Sequence, residues 1–203
     1  MKKFSELFKL NFMINKNFLE TLKKDYKANE SERRQIISAS NNILFEAKKT
    51  IFSLQRNDLK IAEEKISQIE KAFKDLEKRF GHERLNREGA FKAAAEEYLE
   101  GRTLYLVINN KEIEKLKDLS FDYESYLGGI CDMIGELVRY ATNQAAAGKL
   151  SKVAKIKKIS EDIMGQLIDF DMTGYLRTKY DQARGHLRKL EQMSYEIKLR
   201  SKN

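Results

Sequence analysis

The chain has 203 residues, of which 41% are hydrophobic and 34% are charged, with no proline, ten glycines and a net charge of +8. This composition excludes collagen-like and Pro/Gly-rich disordered chains, and it argues against an all-β sandwich or barrel, whose many turns need Gly and Pro. The positive charge indicates an anionic partner, with nucleic acid first and a membrane surface second.

Helical periodicity covers nearly the whole chain. From Phe4 to about Arg56, apolar residues recur at intervals of three and four with no intervening glycine or proline, which predicts one helix of more than 40 residues. We expect any bend of this helix in the polar stretch 29–34. The pair Asn57-Asp58 predicts a break with Asp58 as an N-cap, and the second helix is predicted over 59–80, where Gly81 ends it.

The remaining sequence predicts further helices separated by turns. The third helix runs over about 83–108, and its end is apolar all round, as is typical of a buried segment. A turn is predicted at 109–110, followed by a short piece over 111–119. The cap positions and the helices that follow are Ser120 and Asp122 before a helix over 122–147, Ser151 before a helix over 151–170, and a last helix over 175–200.

These elements predict an all-α fold, a single domain over residues 1–203 built as an elongated bundle of seven helical segments. At 1.5 Å per residue, the long N-terminal helix exceeds about 60 Å. A compact chain of this size has a radius of gyration of only about 17 Å. We therefore expect neighbouring copies to bury part of the apolar stripe of this helix, so that the protein is an oligomer.

Signals for membrane insertion and for secretion are lacking. The basic start has no unbroken apolar region, because Lys9, Asn11 and Asn15 interrupt it, so it is unlike a signal peptide. No stretch approaches the ~20 apolar residues of a membrane span. The single Cys131 and the two histidines exclude an internal disulfide and a Cys/His zinc site within one chain. We expect a cytoplasmic protein that does not bind membranes.

Two acidic clusters are candidates for chemistry. Glu97 and Glu100 are three residues apart and share a helix face, in line with residues that we expect to be buried. Asp132 and Glu136 are four residues apart on the next long helix, in one stripe with Arg139. Two helices that each present two carboxylates could build an oxygen cage, which favours Mg²⁺ or Mn²⁺ over zinc or iron. Among 31 acidic residues such spacings also arise by chance, so the spacing alone favours a solvated polar face over a metal site.

Three segments resemble the translin/Trax family. Residues 121–139, FDYESYLGGICDMIGELVR, are similar to a family helix of pattern D-Y-L-x-G followed by E-L-x-R. Residues 46–56, EAKKTIFSLQR, resemble the end of the long first helix of Trax, and residues 176–200 resemble the C-terminal helix of translin. The resemblance runs in order over most of the chain from about residue 40, and it implies the seven-helix translin type of bundle.

Within that family, Trax is the catalytic subunit and translin lacks the acidic set. The Trax motif Glu-Tyr-x-Glu falls on Glu97 to Glu100, and Asp-x-x-Gly-Glu falls on Asp132 to Glu136. The resemblance therefore implies a Trax-like, Mg²⁺- or Mn²⁺-dependent endoribonuclease in which these four acids are catalytic residues and metal ligands. The substrate would be single-stranded RNA, with single-stranded DNA as an alternative. The short chain resembles a prokaryotic, archaeal-type single-chain form.

Basic residues near these motifs are candidates for nucleic-acid binding. Lys48 and Lys49 lie where Trax has a Lys-Arg pair, Arg139 follows the second acidic motif, and Arg84 and Arg87 precede the first. For Arg139, a simple intrahelical pair with Glu136 is the alternative. The resemblance also implies a barrel-like homo-oligomer, an octamer, whose acids face an enclosed cavity.

Two other functions compete with this prediction. An all-α nucleoside triphosphate pyrophosphohydrolase also carries Glu-Glu-x-x-Glu on one helix, as in 96–100, but its second pair is usually Glu-x-x-Asp rather than Asp-x-x-x-Glu. A translin-like protein would bind RNA or DNA without cutting it, and the intact set of four acids argues against it.

Overall fold

The computed structural model describes residues 14–200, and helices account for 84% of them. Within this range the fold is all-α, with seven α-helices and no strand, as predicted. The helices are α1 (Lys16–Gln55), α2 (Leu59–Phe80), α3 (His82–Leu85), α4 (Gly89–Ile108), α5 (Tyr123–Ala146), α6 (Leu150–Leu167) and α7 (Gly174–Arg200), with a short 3₁₀ helix over Ile168–Phe170. The predicted start of the first helix at Phe4, with Leu7 and Leu10 of its stripe, lies outside the described residues.

The chain divides into two units, residues 1–35 and residues 36–203. In the described part of the first unit, α1 begins at Lys16 and is continuous through the polar stretch 29–34. The large apolar side chains between residues 14 and 35, Ile14, Phe18 and Leu22 among them, are exposed. None of the helices in the described range combines the length and the apolar character that a membrane span requires.

The second unit contains the hydrophobic core. From Ile36 onward, α1 buries the predicted stripe of Ile36, Ile43, Ala47, Ile51 and Leu54. A cluster of aromatic rings lies deeper, where Phe73 of α2 stands at 4.9 Å from Phe121 and at 5.5 Å from Tyr98, measured between ring centroids. Such edge-on and tilted contacts are the favoured geometry of aromatic pairs. They fix the start of α5 against α2 and α4.

Several predicted boundaries are confirmed. Helix α2 has the predicted bounds, and the turn before it needs a left-handed backbone at Asn57, with φ of 62°. Gly81 follows α2 with φ of 77°, a conformation that glycine adopts without strain. Asp122 caps α5, because its side chain accepts a hydrogen bond of 2.8 Å from the backbone N–H of Ser125.

Three predictions about helix boundaries are wrong. The predicted helix over 83–108 is split into α3 and α4, because Glu88 adopts an extended backbone and its buried carboxylate is paired with Arg84 at 2.7 Å. Ser151 is not a cap, since α6 begins one residue earlier and Lys149 occupies the N-cap position. Residues 111–119 are not helical, and Ser120 lies in the connection before the true cap, Asp122. The described residues thus contain seven α-helices because α3 is present, not because residues 111–119 are helical.

Two adjacent glycines let α4 and α5 approach closely. A Cβ atom on Gly129 would stand 2.9 Å from the backbone oxygen of Glu96 and 2.9 Å from Cβ of Leu99. A Cβ atom on Gly128 would stand 2.1 Å from Oε2 of Glu96. Only glycine allows this crossing, and the crossing brings the acidic motif of α4 beside that of α5.

Candidate active site

The four predicted acids come together between α4 and α5. Glu97 and Glu100 lie one turn apart on α4, and Asp132 and Glu136 lie one turn apart on α5. Burial, together with the negative charges of Glu97, Asp132 and Glu136, raises the pKa of Glu100 to about 9. Glu100 therefore experiences the charges of the other three acids, as expected of one cluster rather than of two separate polar faces.

Glu97 is in a similar environment but has a cation nearby. Burial raises its pKa, the positive charge of Lys48 acts in the opposite direction, and Asp132 and Glu136 raise the pKa further. Lys48 is exposed on α1, so the long first helix contributes a cation to the edge of the cluster. A cluster of this kind stabilises a bound cation or a bound proton.

The last helix contributes a lysine that sequence reasoning missed. The ammonium of Lys179 on α7 is hydrogen bonded to Asp132 and lies 2.8 Å from Oε1 of Glu96. Burial opposes the charge of Lys179, but its hydrogen bonds to Asp132 and Glu96 outweigh burial and raise its pKa. Tyr175, one turn earlier, donates a hydrogen bond of 2.5 Å to the same Oε1 of Glu96. This network connects α4, α5 and α7.

Glu136 is held by the end of α1. The side-chain amide of Gln55 donates to Oε2 of Glu136 at 2.7 Å and to its backbone oxygen at 2.9 Å. Arg139, the predicted nucleic-acid contact, lies 3.4 Å from the same carboxylate with about half of its side chain exposed. The intrahelical pair that was the alternative for Arg139 is therefore present.

A pocket opens beside three of the acids. It is lined by Glu100, Asp132 and Glu136 together with residues of α5 and α7, namely Cys131, Gly135, Arg139, Gln182, Ala183 and His186. The absence of a side chain on Gly135 makes room for His186, whose Nε2 would be 3.2 Å from a Cβ atom at that position. His186 of α7 thus lies in the pocket beside the acids, a position that the sequence did not indicate.

The four acids are of the ligand type that a hard divalent cation prefers, but their side chains are not arranged to bind one together. Carboxylate oxygens are the ligands that Mg²⁺ and Mn²⁺ prefer, and their mutual repulsion favours a cation between them. Across residues 14–200, however, no group of three or more His, Cys, Asp or Glu side chains is gathered closely enough to hold a metal ion. Two of the acids have other partners, since Asp132 binds Lys179 and Glu136 accepts from Gln55. Metal binding therefore requires these two side chains to exchange or share partners.

The other predicted basic residues have different surroundings. Lys49 is exposed on α1 and forms an ion pair of 2.7 Å with Glu46. Arg84 is mostly buried and paired with Glu88, so its guanidinium supports the turn between α3 and α4. Arg87 is exposed in that turn. The structure thus brings Lys48 and Arg139 to the acids, whereas Arg84 has a structural partner.

Comparison with known proteins establishes the family. The family model described as the Translin family matches residues 31–201, which is most of the chain. The chain therefore belongs to the Translin family. An uncharacterized protein of Methanocaldococcus jannaschii is 28% identical over 186 residues, covering 89% of this chain and 78% of that protein. Translin of Gallus gallus is 28% identical over 94 residues, covering 45% of this chain and 41% of that translin.

Solved structures share the fold. The crystal structure of apo-NeC3PO is 24% identical, with a TM-score of 0.79 over 90% of this chain and 97% of that chain. The crystal structure of AfC3PO is 20% identical, with a TM-score of 0.82 over 91% and 99% of the two chains. A complex of AfC3PO with duplex RNA is 19% identical, with a TM-score of 0.80 over 91% and 98%. At these identities, the likeness establishes the helical architecture.

Proposed function

We propose that this chain is a Trax-like, metal-dependent endoribonuclease that cuts single-stranded RNA, with single-stranded DNA as an alternative substrate. The observation that carries the proposal is the cluster of four acids between α4 and α5, in which burial and mutual repulsion raise the pKa values of Glu97 and Glu100. A protein that only bound RNA would gain nothing from negative charges gathered beside its binding surface.

The residues of the cluster suit the proposed chemistry. Glu97, Glu100, Asp132 and Glu136 would hold Mg²⁺ or Mn²⁺, and the bound cation would supply Lewis-acid catalysis of phosphodiester hydrolysis. Gln55 orients the carboxylate of Glu136 through its hydrogen bond. Arg139 and Lys48, at the edge of the cluster, offer cations to the phosphates of a bound strand.

Two further observations support RNA as the substrate. The net charge of +8 favours a polyanion, and contacts through amines to phosphates read no base sequence, so sequence preference should be weak. The structural neighbour AfC3PO is described in complex with duplex RNA. We propose a homo-oligomer, an octamer in the family manner, and a cytoplasmic location.

One observation favours a second candidate function, RNA binding without cleavage. Asp132 is already bound by Lys179, whose ammonium competes with a metal ion for that carboxylate. The 28% identity to translin of Gallus gallus agrees with this candidate. A nucleoside triphosphate pyrophosphohydrolase remains the enzymatic alternative.

Cleavage assays separate the three functions. The protein is incubated with labelled single-stranded RNA, and separately with nucleoside triphosphates, in Mg²⁺, Mn²⁺ or EDTA. We expect cleavage of RNA that requires the cation and is lost in Glu100→Gln, with Glu64→Gln, an exposed acid of α2, as the matched control. Hydrolysis of triphosphates alone would support the pyrophosphohydrolase. RNA binding with no cleavage under any condition would support the binding protein.

A further inference from the structure

Four side chains on one stripe of α1 alternate between aromatic and cationic. Phe45, Lys49, Phe52 and Arg56 follow one another at intervals of four, three and four residues, which aligns them along the helix and the residue after its end. We call these four residues the α1 ladder. Phe45 is 57% exposed and Phe52 is 53% exposed, although the opposite stripe of α1 is in the core. The packing of the core therefore leaves more than half of each ring exposed.

Each ring of the α1 ladder has a cation over one face. Nζ of Lys49 lies 4.2 Å from the ring centroid of Phe45, and Cζ of Arg56 lies 5.6 Å from that of Phe52. Nearby acids also contact the two cations, at 2.7 Å for Lys49 with Glu46 and 3.7 Å for Arg56 with Asp58. These contacts hold the cations at the rings, and a cation over one face of a ring leaves its second face for another π-system.

The α1 ladder lies beside the acid cluster. Lys48 and Gln55 are seven residues apart on the neighbouring stripe of α1, roughly 80° around the helix. That stripe meets the acids, since Lys48 acts on Glu97 and Gln55 donates to Glu136 at 2.7 Å. A strand with a phosphate at the acids would therefore have the α1 ladder next to it.

We propose that the α1 ladder is a stacking platform for single-stranded RNA, in which Phe45 and Phe52 stack on bases and Lys49 and Arg56 contact phosphates. Aromatic rings interleaved with cations are what sequence-independent binding of single strands uses. A second copy of this chain is a poorer occupant, because it would have to bury Lys49 and Arg56 away from water. The proposal rests on the proposed function only for the substrate class.

Substitutions that change the rings without changing the charge test the proposal. Binding of a labelled single-stranded RNA is measured by fluorescence anisotropy in EDTA, so that the strand is not cut. We expect Phe45→Leu and Phe52→Leu each to weaken binding about fivefold or more, whereas Phe45→Tyr and Phe52→Tyr retain it. Tyr195→Leu, which removes an exposed ring of α7, is the matched control and should bind as the wild type does.

An abasic strand of the same length separates stacking from charge. It keeps the phosphates and lacks the bases, so Phe45→Leu and Phe52→Leu should not change its affinity, whereas Lys49→Gln should weaken both strands. Equal affinity of the Leu variants and the wild type for RNA overturns the proposal. An equal loss of affinity of the Leu variants for the abasic strand also overturns the proposal. A change of molar mass of the Leu variants in light scattering would identify the α1 ladder as a contact between copies and also overturn it.

The outcome is independent of catalysis. Wild-type protein that cuts RNA in Mg²⁺ but binds it without dependence on the rings overturns the α1 ladder and leaves the nuclease. Wild-type protein whose binding depends on the rings but which never cuts overturns the nuclease and leaves the α1 ladder. Thermal melting of Phe45→Leu and Phe52→Leu should match the wild type, because both rings are more than half exposed.

Discussion

The acids of the cluster differ in how their charge is balanced. Asp132 has the ammonium of Lys179, and Glu136 has the amide of Gln55 and the guanidinium of Arg139. Burial and its acidic neighbours raise the pKa of Glu100 to about 9. Of the four acids, Glu100 is thus the one whose negative charge a bound proton or cation would stabilise most in the metal-free protein.

Glu100 predicts how stability depends on pH. Its pKa is higher in the folded state than the ordinary value of 4.5, so between these values the folded state binds more protons and stability falls as pH rises from about 4.5 to about 9. In EDTA at pH 8, Glu100→Gln should raise the free energy of unfolding by at least about 1 kcal/mol and flatten this pH dependence. Urea unfolding at pH 5 and pH 8 checks this, with Glu64→Gln as the control. An unchanged pH profile would contradict the burial of a charged Glu100.

Lys179 predicts opposite effects on folding and on metal binding. Lys179→Met leaves Glu96 and Asp132 without their cation, so in EDTA it should lower the free energy of unfolding by about 1–3 kcal/mol. Since the same change frees Asp132, Mn²⁺ measured by calorimetry should bind more tightly than to the wild type. Lys158→Met, at an exposed position of α6, should change neither quantity. Weaker Mn²⁺ binding in Lys179→Met would show that the lysine positions Asp132 for the metal instead of competing with it.

The crossing of α4 and α5 is the element that creates the cluster. At Gly129 a new Cβ meets backbone and Cβ atoms at about 2.9 Å, whereas at Gly128 it meets the flexible end of Glu96. Gly129→Ala should therefore lower the free energy of unfolding by about 1–3 kcal/mol, and Gly128→Ala should cost less because Glu96 can move. Gly165→Ala and Gly185→Ala, with nothing near the added atom, should instead stabilise their helices by about 0.5–1 kcal/mol. Chemical denaturation of the four variants measures the order of their free energies of unfolding.

Sequence predicted the elements better than it predicted their partners. The bounds of α2 and the cap at Asp122 are local features, set by turn residues that periodicity and cap chemistry identify. The split between α3 and α4 depends on a buried ion pair, Arg84 with Glu88, whose burial only the folded chain decides.

The candidate site also contains some residues that the sequence predicts and others that it does not. The spacing of the four acids was readable because each pair lies within one helical turn. Lys179 and His186 could not be placed, because they are 47 and 50 residues after Asp132 and Glu136 in the chain and reach the site only through the packing of α7 on α5. On the α5 side of this packing, the sequence signal was Gly135, whose missing side chain makes room for His186.

At the scale of the whole molecule, the exposed apolar side chains of the first unit predict association. Ile14, Phe18 and Leu22 recur at intervals of four on one stripe, and each is about half exposed. Light scattering at low micromolar concentration should give a mass several times 23.7 kDa. Phe18→Ser with Leu22→Ser should lower that mass, and Lys23→Ser with Lys24→Ser, on the same helix, should not. A wild-type species of 23.7 kDa would contradict the oligomer.

RNA binding and RNA cleavage should respond to different ions, because the net charge of +8 governs binding whereas the four acids govern cleavage. Binding rests on cations at phosphates, so its affinity should fall with salt, with a log–log slope of about −0.7 per phosphate neutralised on a single strand. Lys48→Gln with Lys49→Gln should flatten that slope. Cleavage rests on the four acids, so it should need Mg²⁺ or Mn²⁺, be poorly supported by Ca²⁺, which tolerates looser geometry, and vanish in EDTA.

Two measurements on the same samples keep these responses apart. Anisotropy in EDTA over a range of salt concentrations gives the slope, and gel assays at fixed salt give the preference among cations. The double lysine variant should keep the cation preference of the wild type, because Lys48 lies at the edge of the cluster and supplies no oxygen ligand. Undiminished cleavage in EDTA would point to a general base acting on the ribose 2′-hydroxyl. The acids would then not be metal ligands, whereas the helical architecture that gathers them would stand.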